Sequence, residues 1–249
     1  MMQLHEAAQA IAAQAQGADV AFTSVSTDTR TLAPGALFVA LRGEQFDGHK
    51  FVPQAVAAGA AAAMVQRDAV PESNTGPLLI VDDTRLALGA LAAYWRKRSD
   101  AALIAVTGSN GKTTVKEMIA AILRVYCVAR GGSEAQVLAT VGNLNNDIGV
   151  PLTLFKLTPD HRYAVIEMGM NHPGEIGYLS KLSRPNVALV NNVQRAHLGM
   201  FESVEGIAQA KGEIFQGLDF DGVAVINADD THAGLMRLLA SDRECLEFG

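Results

Sequence analysis

Apolar positions along this chain fall into short continuous runs, and stretches with helical spacing separate the runs. In the first section, residues 36–41, 62–65 and 78–81 are apolar throughout and read as buried strands. Residues 2–16, 51–58 and 84–98 carry helical spacing, with Gly59 ending the second of these helices. Residues 71–77, rich in Pro, Ser, Asn and Gly, read as a loop. A polar, basic stretch, Trp95-Arg96-Lys97-Arg98-Ser99-Asp100, then interrupts the pattern. It divides the chain into a domain over 1–98 and a second over 99–249. The second begins with the apolar run 101–106 and repeats the motif at 163–168, 187–190 and 223–226, with helical segments between. Such alternation predicts a mostly parallel α/β sheet flanked by helices, preceded by a small α/β domain.

Each run of the second section ends in polar residues: Thr107-Gly108, Glu167-Met168-Gly169, Asn191-Asn192 and Asn227-Ala228-Asp229-Asp230. In open α/β sheets ligands bind beyond the carboxyl ends of the strands. Lys112, Glu167, Asn191 and Asn227 are therefore expected at one crevice. The first strand runs into Thr107-Gly108-Ser109-Asn110-Gly111-Lys112-Thr113-Thr114, followed by Val115, Met118, Ile119, Ile122, Leu123 and Tyr126 at helical spacing. A strand, a glycine turn, Lys-Thr and a helix form a cradle for a nucleoside triphosphate. Backbone N–H groups approach the phosphates there, Lys112 reaches the outer phosphates, and the Thr113 hydroxyl binds magnesium. The spacing departs from the common phosphate loop, because position 106 is Val and the first glycine is Gly108.

Several further residues have a bland and a chemical reading. Glu167 is either a solvated strand end or a magnesium ligand beside the phosphates. Lys211 lies on the apolar stripe Val204, Ile207, Ala208, Ile214, Phe215 and Leu218, so it either snorkels at a rim or is functional. A desolvated lysine has a lowered pKa, and its neutral amine can take up carbon dioxide to form a carbamate, an anionic ligand for a second magnesium. His197 is either a loop histidine or a metal ligand. His49 belongs to a turn with a weak ligand reading, and His5, His161, His172 and His232 read as surface residues. Asn143, Asn145 and Asn146 form a turn or hydrogen-bond a polar ligand. Residues 23–30, with Ser26, Asp28 and Arg30, form a capped loop or grip a phosphate or uracil ring.

Composition narrows the field. The chain has 249 residues, 49% of them hydrophobic, and a formal net charge of −6. That balance argues against a nucleic-acid binder. Two distant cysteines, Cys127 and Cys245, imply neither a disulfide framework nor a zinc site and suit a reducing cytosol. Residues 1–17 lack the pattern of a signal peptide, and no run is long enough to insert in a membrane.

The chain resembles the Mur ligases of peptidoglycan precursor synthesis. The resemblance rests on the phosphate loop, Gly142-Asn-Leu-Asn-Asn-Asp-Ile-Gly-Val-Pro151, Ile166-Glu-Met-Gly-Met-Asn-His-Pro-Gly-Glu-Ile176, Ala196-His197-Leu198, Ala210-Lys-Gly-Glu-Ile-Phe215 and Asn227-Ala-Asp-Asp230. Ser26-Thr-Asp-Thr-Arg30 and Leu37-Phe-Val-Ala-Leu-Arg-Gly43 with Asp47-Gly-His49 are similar to the family's UDP-sugar-binding part. The strings at 143–151 and 211–215 point to the branch that joins D-alanyl-D-alanine to a UDP-N-acetylmuramoyl-tripeptide. The resemblance implies ATP and magnesium, with Lys112, His197 and Lys211 as catalytic residues. It assigns one magnesium to Thr113 and Glu167 and a second to His197 and carbamylated Lys211. Asn227 becomes an adenine-side contact, and Ser26, Asp28 and Arg30 contacts to the uridine nucleotide. It further implies a cytoplasmic monomer. Members of the family carry a third, Rossmann-like domain, so the end at Gly249 implies a C-terminally truncated ligase with little or no activity of its own. Another ligase of the superfamily, including the folylpolyglutamate synthases, and a non-catalytic nucleotide-binding fragment are the competing expectations.

Overall fold

The computed structural model describes residues 1–72, 76–195, 201 and 203–249. Two compact units divide between Trp95 and Arg96, three residues before the boundary read from the basic stretch.

The first unit opens with β1 (Met2–Gln3), α1 (Leu4–Ala10), β2 (Gln14–Gln16), β3 (Ala21–Phe22), β4 (Ser24–Ser26) and β5 (Ala36–Val39). It continues with α2 (Val52–Ala57), β6 (Ala62–Gln66), β7 (Leu78–Val81) and α3 (Thr84–Arg96). Its main sheet has the order β2-β7-β6-β5-β4, parallel except for β2 against β7. The continuous apolar runs of β5, β6 and β7 are buried on both faces, as parallel strands are. The single helix expected over 2–16 is corrected. The helix spans only Leu4–Ala10, Ala12 adopts a positive φ of 53°, and Gln14–Gln16 pairs with Leu78–Ile80 as an edge strand. Alanine and glutamine favour helix locally, and the unpaired edge of β7 overrides that preference.

The second unit runs β8 (Ala102–Thr107), α4 (Lys112–Ala129), β9 (Val137–Ala139), α5 (Gly149–Leu154), β10 (Tyr163–Glu167) and α6 (Glu175–Ser183). β11 (Val187–Val190), α7 (Val204–Gly212), β12 (Val223–Asn227), α8 (Ala233–Ala240) and β13 (Glu244–Phe248) complete it. All neighbours in the sheet are parallel, in the order β13-β12-β11-β8-β10-β9. Chain order reverses on either side of β8, and this switch point is where an open α/β sheet leaves a crevice.

α4 covers the sheet with a face different from the one its apolar spacing suggests. Val106, Ala120, Cys127, Val137 and Val165 form a buried cluster with Val115, Ile119 and Leu123 against it, whereas Met118, Ile122 and Tyr126 are exposed. Lys116, which lies on the inner face, is fully buried.

The loop from β9 to α5 is shaped by one close approach. A Cβ on Gly149 would lie 2.4 Å from Leu144 Cα and 2.5 Å from its carbonyl carbon, both backbone atoms that cannot give way cheaply. Gly149→Ala is expected to destabilise the second unit by about 1–3 kcal/mol, read by urea unfolding. Unchanged stability would contradict the tight packing of this loop.

Candidate functional site

β8 delivers the phosphate-loop sequence to the switch point. Thr107, fully buried, donates its hydroxyl to Met168 O at 2.9 Å and so locks the end of β8 to the end of β10. The turn that follows needs glycine at two places. Gly111 has φ +74°, a left-handed conformation that leads directly into α4. A Cβ on Gly108 would sit 3.0 Å from Asn191 Cβ. The chain after β11 clasps the loop from the other side. Asn192 O accepts from Ser109 N–H, Asn192 Oδ1 accepts from Asn110 N–H, and Gln194 Oε1 accepts from Asn110 Nδ2. Ser109 Oγ donates to Gln194 O and accepts from its N–H. The loop thus opens at the N-terminus of an eighteen-residue helix, where the helix dipole favours an anion. Lys112 is curled over the loop, its Nζ 2.9 Å from Gly108 O.

Glu167, at the end of β10, is only 2% exposed, which removes the reading of a solvated strand end. One carboxylate oxygen accepts from the Thr113 hydroxyl at 2.9 Å, and the other accepts from Asn145 Nδ2 at 2.8 Å. Its backbone N–H donates to the Thr140 hydroxyl at 3.0 Å. A hydroxyl and a carboxylate at the mouth of a phosphate loop are hard oxygen donors of the kind magnesium takes. That ion keeps several waters and draws further ligands from phosphates. Among the described residues no group of three or more His, Cys, Asp or Glu could hold a metal ion. The Thr113 and Glu167 oxygens fit an ion that draws its remaining ligands from water and from the phosphates of a nucleotide.

Lys211 is also buried, 2% exposed, so it does not snorkel. α7 is capped by Ser203, whose Oγ accepts from Gly206 N–H. The amine is pushed down to about 7, first by burial and second by the charge of Lys112. A substantial neutral fraction at neutral pH follows, and Lys112 and Lys211 sense each other. Two residues on, Glu213 accepts from Gly174 N–H and Gly177 N–H and ties the lysine's segment to the start of α6. His197 lies outside the described residues.

The asparagines separate by task. Asn145 reaches Glu167, whereas Asn146 Oδ1 accepts from Ile148 and Gly149 N–H and starts α5, and Asn143 is exposed. Asn227 Nδ2 donates to Asn191 O at 3.0 Å, and Asp230 Oδ2 accepts from Val193 N–H at 2.6 Å. The end of β12 therefore supports the chain that clasps the phosphate loop. Gln194, Thr140 and Lys116 were not singled out by sequence reasoning. For Lys116 a signal existed, because it shares the helical positions of Ala120 and Cys127.

The first unit has its own cavity of about 550 Å³, lined by Thr27, Asp28, Thr29, Arg30, Phe46 and Phe51 among others. Phe46 and Phe51 are stacked at its wall with ring centroids 5.4 Å apart. Asp28 and Arg30 pair through Nε and Nη2 at 2.6–3.1 Å, and the Arg30 hydrogen bonds lower the Asp28 carboxyl to about 2. Ser26 Oγ donates to Asp28 O and accepts from its N–H. The weak ligand reading of His49 gives way to a structural one. Its ring is buried, Nδ1 donates to Asp47 at 2.6 Å, and Nε2 accepts from Gln66 N–H.

Comparison with known proteins places these features in one group. A family model described as the Mur ligase middle domain matches residues 106–248, and one described as the Mur ligase family catalytic domain matches residues 21–96. The chain is 55% identical over 215 residues to the UDP-N-acetylmuramoyl-tripeptide–D-alanyl-D-alanine ligase of Escherichia coli K12, covering 86% of this chain and 45% of the relative. It is 44% identical to the Bacillus subtilis 168 protein of that name, covering 83% and 43%. The crystal structure of MurF from Acinetobacter baumannii superposes with a TM-score of 0.89 at 38% identity, covering 100% of this chain and 54% of that one. MurF ligase from Thermotoga maritima, solved in complex with ADP, superposes at 0.78 with 31% identity, covering 91% and 50%. The chain thus spans about half the length of the relatives it matches.

Proposed function

The chain belongs to the Mur ligase family, and from that premise we propose that it carries the nucleotide site and the UDP-substrate site of a ligase. In that ligase, D-alanyl-D-alanine is joined to a UDP-N-acetylmuramoyl-tripeptide at the expense of ATP. The observation that carries this reading is the meeting of Thr113, Glu167 and Asn145 at the phosphate loop.

The chemistry activates a carboxylate. Its oxygen takes the γ-phosphoryl group of ATP, and ADP leaves. The amine of D-alanyl-D-alanine then attacks the acyl carbon, and phosphate departs as the peptide bond forms. Two anions must first be held together, so positive charge is needed between them. Lys112 swings from Gly108 O to the outer phosphates, and the N-terminus of α4 receives the inner ones. Thr113 and Glu167 would hold magnesium, which would supply charge neutralisation on the phosphates. The neutral amine of Lys211 adds to carbon dioxide, forming an N–C bond and releasing one proton, and the resulting carbamate would hold a second ion together with His197. Asn227 stands on the adenine side. In the first unit, Phe46 and Phe51 offer an aromatic wall for a base, and Ser26, Asp28 and Arg30 contact the uridine nucleotide.

Among the described residues no helix is long and apolar enough to cross a membrane. A polypeptide of these 249 residues spans about 45% of the E. coli ligase. On its own it is expected to bind substrates and to release ADP only slowly in a coupled assay.

Substrate choice is tested by calorimetry. The UDP-linked tripeptide should bind more tightly than the UDP-linked dipeptide. Arg30→Ala should weaken it about tenfold through loss of a charge-assisted contact. Equal binding of both nucleotides, or an Arg30→Ala chain that binds as before, would contradict the assignment.

A further inference from the structure

α4 carries a second lysine three residues beyond Thr113. The Lys116 side chain is fully buried, and its Nζ donates to Thr140 O at 2.7 Å and to Glu117 Oε1 at 2.5 Å. Taking an ammonium out of water is costly unless partners surround it. A methionine or leucine would fill the same space on the inner face of α4 without that cost. The charge therefore calls for a reason.

Thr140 supplies one. It sits just after β9, where the loop toward α5 begins, and each of its polar groups is engaged. Its N–H donates to Val165 O at 3.0 Å, its carbonyl accepts from Lys116, and its hydroxyl accepts from the Glu167 N–H at 3.0 Å. The loop it starts then returns to the same residue, because Asn145 Nδ2 reaches Glu167 Oε1, and Asn145 O accepts from Gly169 N–H at 2.8 Å. Glu167 is thus held from its backbone through Thr140, from its side chain through Asn145, and on its open side by Thr113. Lys116 anchors the Thr140 carbonyl at the root of this arrangement and starts from the same helix that presents Thr113.

We propose that Lys116 is a positioning residue for the magnesium-nucleotide site: by fixing Thr140 it sets the orientation of the Glu167 carboxylate beside Thr113, without itself touching phosphate. The role rests on the reading of Thr113 and Glu167 as the magnesium side of a nucleotide site. It differs from a purely structural buried lysine in what its loss affects. A structural lysine supports both units of binding energy alike, whereas a positioning lysine supports only the part that depends on the metal.

The test uses the 249-residue chain, ADP as ligand, and calorimetry in magnesium and in EDTA. Lys116→Met should lower ADP affinity about tenfold in magnesium and leave it within about twofold in EDTA, the scale of lost support for a metal ligand. In a Glu167→Gln background the same change should add nothing, since two residues acting through one carboxylate are not additive. Amide hydrogen exchange without ligand should speed up at Glu167 and across 140–147 while the strands β8 and β11 keep their protection. Thr140→Val, which removes the hydroxyl that accepts from Glu167, should reproduce the selective loss and serves where Lys116→Met does not fold. Equal weakening in magnesium and EDTA, or additivity with Glu167→Gln, would overturn the role. An unaltered chain with no magnesium effect would contradict the nucleotide reading itself, whereas a magnesium effect that survives Lys116→Met contradicts the positioning role alone.

Discussion

Lys112→Met lowers the affinity of the chain for ADP and ATP by about 100-fold, the largest single loss expected for any side chain at the phosphate loop. The change leaves the glycine turn and the helix N-terminus in place, so backbone donors still meet the phosphates. What disappears is one charge-assisted hydrogen bond to a phosphate oxygen, about 1.5–3 kcal/mol. The lysine is also one of the two causes that hold the Lys211 amine at about 7. Removing its charge should therefore let Lys211 titrate at a higher pH. Calorimetry measures the first effect and NMR titration of the lysine side chain the second. Affinity within about threefold of the unaltered chain would contradict a phosphate contact, since a lost charged hydrogen bond exceeds that.

Lys211→Met stabilises the second unit at pH 7 in the absence of carbon dioxide. A free lysine keeps its proton up to about 10.5, whereas the folded chain releases it near 7. Between those values the unfolded chain binds more protons than the folded one, so stability rises with pH across that window. Burial of the amine, the first cause of the shift, makes the cost at neutral pH several kcal/mol in order of magnitude. The methionine variant should lack both the cost and the rise between pH 7 and 10. Carbamate formation adds a second signature, because an anion beside Lys112 is favourable where a cation is not. Bicarbonate at pH 8 should raise the urea midpoint of the unaltered chain and leave that of Lys211→Met unchanged. Parallel stability profiles for the two proteins, with no bicarbonate effect, would contradict the buried neutral amine.

Continuous apolar runs were legible in the sequence because their shortness, their β-branched content and the polar residues that bound them favour a strand over a helix. Leu78–Val81 and Val187–Val190 fall where their runs place them. Gln14–Gln16 and Glu244–Phe248 are edge strands with polar or exposed residues, and only the neighbouring strand makes them extended. Glu167 and Lys211 could be marked as candidates, one by its place after an apolar run and one by its place on an apolar stripe. Their burial, which separates the chemical from the bland reading, is a tertiary fact. The asparagine-rich loop shows the limit most clearly. Asn143, Asn145 and Asn146 are alike in sequence, yet only the close approach of Gly149 to Leu144 and the start of α5 decide that Asn145 faces Glu167. A lysine in a helix reads as solvated by default, so apolar spacing alone does not mark Lys116.

As proposed, Thr113 and Glu167 make the phosphate loop a magnesium-nucleotide site. A calorimetric titration of the 249-residue chain with ADP, once in magnesium and once in EDTA, addresses it directly. Binding of one ADP per chain, tightened by magnesium about tenfold or more and losing that gain in Glu167→Gln, is the predicted result. Absence of binding, or equal affinity with and without magnesium, would contradict it.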